Sequence, residues 1–222
     1  MSEVSLVVAE GQVPDHVKKA TGRGNEDVSA DHLTIPRLRQ LQSISNEVDK
    51  HHPDYQEDAN VGDFINFLTK ENYGSEVYVI SVKFKENFVV WRKRSEGGGL
   101  HGSFESQALA RASLEEAGEA EKYDINQTHE QLLLVKDPKT GALSTPVLMD
   151  FAVSKLRASR DWNSQIAQKG GDRFSGLWKV VSLPTKNRNG QKFMALKIEW
   201  VGWVTKEDYG VVESVFNQLQ NQ

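Results

Sequence analysis

Between residues 152 and 197 the chain sets ten basic residues against two acids, Asp161 and Asp172. The ten are Lys155, Arg157, Arg160, Lys169, Arg173, Lys179, Lys186, Arg188, Lys192 and Lys197. Trp162, Phe174, Trp178 and Phe193 are interleaved with them. Cations among flat rings suit a single-stranded nucleic acid, because the cations meet phosphates while the rings stack on unpaired bases. The same composition also suits a buried aromatic core under a solvated charged face. Outside this block the balance is acidic: fourteen acids stand against seven bases in residues 1–79, and nine against four in residues 100–151.

A second cationic feature is Arg92-Lys93-Arg94, which runs into Gly97-Gly98-Gly99. Glycines remove side-chain obstruction and let a phosphate backbone approach. The spacing matches neither a Walker loop nor a dinucleotide fingerprint. Catalytic sets are absent from the sequence. The six histidines, at 16, 32, 51, 52, 101 and 129, are scattered, with no His-Glu-x-x-His, paired-carboxylate or Gly-x-Ser-x-Gly spacing. Pro53-Asp54 has no Glu-x-Lys downstream, and His51-His52 is a weak metal pair. The lack of cysteine excludes disulfides, thiolate metal sites and cysteine nucleophiles. No enzyme activity, metal or cofactor is expected.

These residues need elements to hold them. Residues 1–31 read as a mobile acidic leader, and 32–222 as one domain. Tyr78, Ile80, Val82 and Phe84 alternate as a half-buried strand, and Phe88–Trp91 continue it. Strands are also expected at 64–68, 132–135, 147–149, 177–183 and 193–204. Turns are expected at Asp137–Gly141 and Lys186–Gly190. Helices are expected at 104–122 behind a Ser103 cap, at 155–168 behind Ser154, and at 206–219. In the strand 193–204, Met194, Leu196, Ile198, Trp200 and Val204 form the core face. Phe193, Ala195, Lys197, Glu199, Val201 and Trp203 form the other, an aromatic platform carrying a cation. Tight turns between strands imply antiparallel pairing, so the expected fold is α+β, with a curled antiparallel sheet or an OB-like small β-barrel and inserted helices. No run of about 18 apolar residues and no signal segment is present, so a cytoplasmic protein with no membrane partner is expected.

Several segments carry a resemblance: Leu33–Leu38 with Leu41-Gln42, Gly62–Asn66 leading to Tyr73-Gly74, and Trp91 ahead of Gly97–Gly99. Ser154–Leu156 through Trp162-Asn163, and Gly202-Trp203-Val204, extend it. They resemble a group of tailed-bacteriophage proteins from replication regions, often labelled single-stranded DNA-binding. The resemblance implies a phage protein of the host cytoplasm, with phage replication proteins as further partners. Such binders often end in an acidic tail, whereas this chain ends Val215–Gln222 without an acid.

The expected function is therefore that of a non-enzymatic single-stranded DNA-binding protein that coats or protects the strand during replication or recombination. Lys155, Arg157, Arg160, Lys179, Lys186, Arg188 and Lys197 would contact phosphates, with Arg92 and Lys93 at the rim. Trp178, Phe193 and Trp203 would stack on bases. The alternative is a phage interaction module that binds a host or virion protein through acidic surfaces and has no nucleic-acid role. A metal-dependent nuclease is a third and weaker reading.

Overall fold

Residue pairing along one long strand organises the fold. The computed structural model describes residues 24–28 and 34–220. The chain divides into two compact units, Met1–Thr34 and Ile35–Gln222, and the second carries everything below. Apart from residues 24–28, the expected leader lies outside the described residues, as do His16 and His32.

Strands β1 (Leu38–Gln40) and β2 (Phe64–Asn66) pair antiparallel with each other. Six more strands make an antiparallel sheet: β3 (Glu76–Arg92), β4 (Leu100–Phe104), β5 (Tyr123–Lys136), β6 (Val147–Ala152), β7 (Gly176–Lys186) and β8 (Lys192–Trp203). Their order is β6-β5-β3-β7-β8, with β4 paired to β3 as well. Strand β5 covers one edge of β3 from Tyr78 to Arg92. The other edge is shared, with β7 on Glu76–Ile80 and β4 on Phe88–Trp91.

Strand β3 alternates between two faces, is interrupted by a bulge between Ser81 and Lys83, and contributes to three clusters along its length. Val77 and Val79 join Leu133, Met149, Phe151, Trp178 and Val180 on the first face, over which α2 (Leu156–Lys169) lays Trp162. Ile80 and Val82 join Leu134 and Phe174 on the second face, under Val212 of α3 (Lys206–Gln220). Val90, further along, packs with Ala110 and Leu114 of α1 (Gln107–Ala117). All three helices are amphipathic lids on sheet faces, the usual way an antiparallel sheet is covered.

The expected α+β class and antiparallel pairing are seen, but the sheet does not close into a barrel: β6 and β8 remain its edges. Residues 36–42 lie in the gap. Leu148 N–H of β6 donates to Pro36 O at 2.8 Å, and Met194 N–H of β8 donates to Gln42 Oε1 at 2.9 Å. Gln42 Nε2 returns a bond to Met194 O at 3.1 Å, and Gln40 Nε2 donates to Ala195 O at 3.1 Å and Ser182 Oγ at 2.7 Å. Edge groups point along the plane of a sheet, so one short segment reaches both outer edges only because the sheet curls. The glutamine amides stand where a neighbouring strand's peptides would.

Two helix bounds differ from expectation. Instead of 104–122, α1 spans Gln107–Ala117, starts where Ser106 Oγ accepts Leu109 N–H at 3.2 Å, and stops at Gly118 with φ 68°. Residues 100–104 and 123–131 are strand. No side chain caps α2 at its start, so Ser154 does not play that part.

Candidate nucleic-acid interface

The aromatic platform expected on β8 does not form. A bulge falls between Leu177/Gly202 and Trp178/Trp200, with Val201 the extra residue. Trp203 therefore pairs with Gly176 on the side of Trp178 and Trp200, and its ring stands edge-on to Trp200 at 5.0 Å. Phe193 and Trp203 end up on different faces and ten residues apart, about 33 Å along the strand. Val204, expected beside Trp200, packs in the other core under α3. Trp203 is 59% exposed and remains a usable surface ring. Trp178 is not: it is 1% exposed and edge-on to Trp162 and Trp200, at 6.0 and 4.9 Å. Trp162 and Phe174, also inside the basic block, are core residues. Neither the Trp162 nor the Trp178 indole N–H has an acceptor among the described residues.

The cations are dispersed too. Lys179 sits between Glu76 and Glu199, at 3.6 and 3.3 Å, and Lys197 is 2.8 Å from Glu199. The Glu199 contact holds the Lys179 ammonium pKa above its ordinary value, and both lysines hold the Glu199 carboxyl below its own. This face alternates in charge. Arg92 and Lys93 lie at the far end of β3 from Glu76, sixteen residues or about 50 Å of strand away. Lys93 Nζ there donates to Glu121 O at 2.6 Å. On α2, Arg157 pairs with Asp161 at 3.8 Å, and Arg160 Nη2 donates to Gln127 Oε1 at 3.0 Å. Burial pushes the Lys155 pKa down, with Asp150 opposing.

What the structure does bring together is the end of the β7–β8 hairpin. Asn187 Oδ1 accepts the N–H of Asn189 and of Gln191, at 3.0 and 2.9 Å, and Gly190 takes φ 77° to complete the turn. That turn fixes Lys186 opposite Lys192 and Thr185 opposite Phe193. Beside it Ser43, Val61, Pro184 and Met194 complete a mostly apolar pocket of about 380 Å³ with no carboxylate in its lining. Lys186 and Lys192 line the pocket, and Arg188 is exposed on the turn. Among the described residues none of these three cations has an acidic partner within ion-pair distance. Gly62 anchors the wall: it holds φ 104°, and a Cβ there would stand 2.7 Å from Met194 Cε. An apolar slot with one ring and three free cations can take a flat ring attached to an anion.

Over residues 7–222 the sequence matches the model of a family described as Pam3 phage gp34-like protein. The chain belongs to this phage family. No curated protein and no solved structure matches it. Among the described residues, no helix is long and apolar enough to cross a membrane, and no group of histidines and carboxylates could hold a metal ion.

Of the expected site residues, Lys186 and Phe193 line the pocket and Arg188 lies on the adjoining turn. Lys192, Pro184, Ser43 and Val61 belong to it and were not foreseen. Lys192 follows from the Asn-Gly turn, since a hairpin register places it opposite Lys186. Ser43 and Val61 arrive from loops far away in sequence and carry no local signal.

Proposed function

We propose that this phage protein binds single-stranded DNA without catalysing a reaction, and that the pocket at the β7–β8 turn receives a base while Lys186, Arg188 and Lys192 meet the adjoining phosphates. One observation carries the reading: an apolar pocket holding a ring is rimmed by cations that have no carboxylate within ion-pair distance among the described residues. Base stacking on an aromatic side chain contributes about 1–3 kcal/mol, and unneutralised cations add affinity by releasing counterions. The test is fluorescence anisotropy of a labelled oligo-dT, beside a duplex of equal length, over a series of salt concentrations. Preference for the single strand, with affinity falling linearly in log salt, is the expected result. Equal binding of both, or of neither at low salt, is the result against it.

A protein-docking role is favoured by one feature elsewhere. Trp91 and Leu100 oppose each other on β3 and β4, 44% and 61% exposed. If that surface carries the function, Trp91→Ala abolishes co-purification of a nuclease-resistant phage or host partner and leaves oligo-dT binding unchanged.

A further inference from the structure

Arg173 lies between α2 and the β3–β5 pair, and its surroundings are not those of an ordinary structural arginine. Its Nε donates to Ser81 Oγ at 2.9 Å, and its Nη2 donates to Gln131 Oε1 at 3.1 Å and to Asn163 Oδ1. The guanidinium carbon stands 5.3 Å from the centre of the Phe84 ring. Ser81 and Gln131 are buried, and Ser81 Oγ also donates to Gln131 Oε1 at 2.9 Å. Every partner is neutral. Among the described residues no carboxylate lies within ion-pair distance of Arg173, and neighbouring Asp172 accepts the Tyr209 hydroxyl instead. A partly buried cation held only by hydroxyls and amides lacks the counter-charge that normally offsets its desolvation. Its Nη1 has no acceptor among the described residues.

The same face of β5 presents a second guanidinium, that of Arg160, held by Gln127 and with no carboxylate within ion-pair distance among the described residues. Gln127 and Gln131, four residues or about 13 Å of strand apart, each anchor one of the two guanidinia. Between Ile80, where β7 pairing stops, and Phe88, where β4 pairing starts, that edge of β3 has no partner strand among the described residues. Planar guanidinium forks suit phosphate oxygens.

We propose that Arg173 and Arg160 form a phosphate-binding face distinct from the hairpin pocket, sized for two phosphate groups of one extended strand. Glu86 is the opposing charge. It accepts from Gln127 Nε2, lies 3.6 Å from His129 Nε2, and is the carboxylate an incoming anion would meet. Two sources share this chemistry, free phosphate and the phosphodiester backbone, and the test separates them.

The full-length protein, labelled with ¹⁵N-arginine, is titrated with sodium phosphate at constant ionic strength and, separately, with oligo-dT. The Arg173 and Arg160 side-chain Nε–H resonances are followed. Movement in both titrations is expected, and movement with phosphate alone assigns the face to free phosphate. Resonances unmoved by either ligand overturn the proposal. Glu86→Gln provides a second reading in a variant that leaves the core untouched: it is expected to tighten the response to each active ligand severalfold, whereas unchanged or weaker binding counts against the site. Arg160→Gln with Arg173→Gln is expected to lower the oligo-dT salt slope by about 1.4, at about 0.7 per phosphate contact on a single strand. The phosphate arm needs no nucleic acid, so it stands or falls independently of the hairpin pocket.

Discussion

Neutralising the three cations of the hairpin turn, Lys186→Gln with Arg188→Gln and Lys192→Gln, separates the structure's account of binding from a count of basic residues. Each cation that meets a phosphate contributes about 0.7 to the slope of log affinity against log salt for a single strand. Since none of the three has a carboxylate to release first among the described residues, the triple variant should lose about 2 from that slope. The control removes two positive charges from the same two strands: Lys179→Gln with Lys197→Gln. These lysines share Glu199, at 3.3 and 2.8 Å, so removing them also frees a carboxylate and leaves the phosphates where they were. Their slope should stay within a few tenths of wild type. The assay is oligo-dT anisotropy at four or more salt concentrations, with the thermal melt of each variant recorded beside it. A folded triple variant with an unchanged slope refutes the assignment. So does a control pair that loses as much as the triple.

Phe193→Ala should weaken oligo-dT by about 1–3 kcal/mol, roughly 5- to 150-fold, at every salt concentration, because stacking releases no counterions; the parallel shift of the salt plot checks it. Trp178→Ala should cost about 3–5 kcal/mol in urea denaturation as the loss of a core ring, whereas Trp203→Ala, at a 59% exposed site, should cost less than about 1 kcal/mol. Gly176→Ala should destabilise by about 1–3 kcal/mol or more, since its Cβ would collide with the Trp200 ring; the urea midpoint reads this directly. Acidification should weaken the fold through His129, whose pKa is pushed down by burial against the opposing pull of Glu86. As pH falls through about 6.5 the unfolded chain takes up the proton and the folded one resists, so stability drops there and the contribution is fully present above that pH. His129→Gln should flatten the difference between urea midpoints at pH 7 and pH 5.

Local chemistry was readable in advance. Asp137 accepts Lys139 N–H at 2.7 Å and Gly141 takes φ 74°, as the turn residues there require. The alternation of Leu196, Ile198 and Trp200 does mark the face of β8 that packs against the core. The first half of β5, by contrast, reads Tyr-Asp-Ile-Asn-Gln-Thr-His-Glu, too polar to look like strand. It is strand because β3 extends far enough to pair with it. The Val201 bulge, which moves Trp203 across the sheet, leaves no mark in composition. The fate of the basic block turned on Glu76 and Glu199, acids brought alongside Lys179 by pairing rather than by spacing. Sequence supplied the charges, and tertiary pairing decided which of them stayed free.

The two glutamines at the seam have a consequence for the order of events during synthesis. Gln42 and Met194 are 152 residues apart. At about 5–20 residues per second, a ribosome needs roughly 8–30 s between making one and making the other. Leu38 has been translated throughout that interval, and Phe64 for most of it, but both lack the last strand that shuts the curl, while Pro36 can meet only the β6 side of the seam. The nascent chain thus spends most of its translation as an unsealed half-shell. A truncation upstream of Met194 would arrest it there, with an apolar interior for a chaperone to cover.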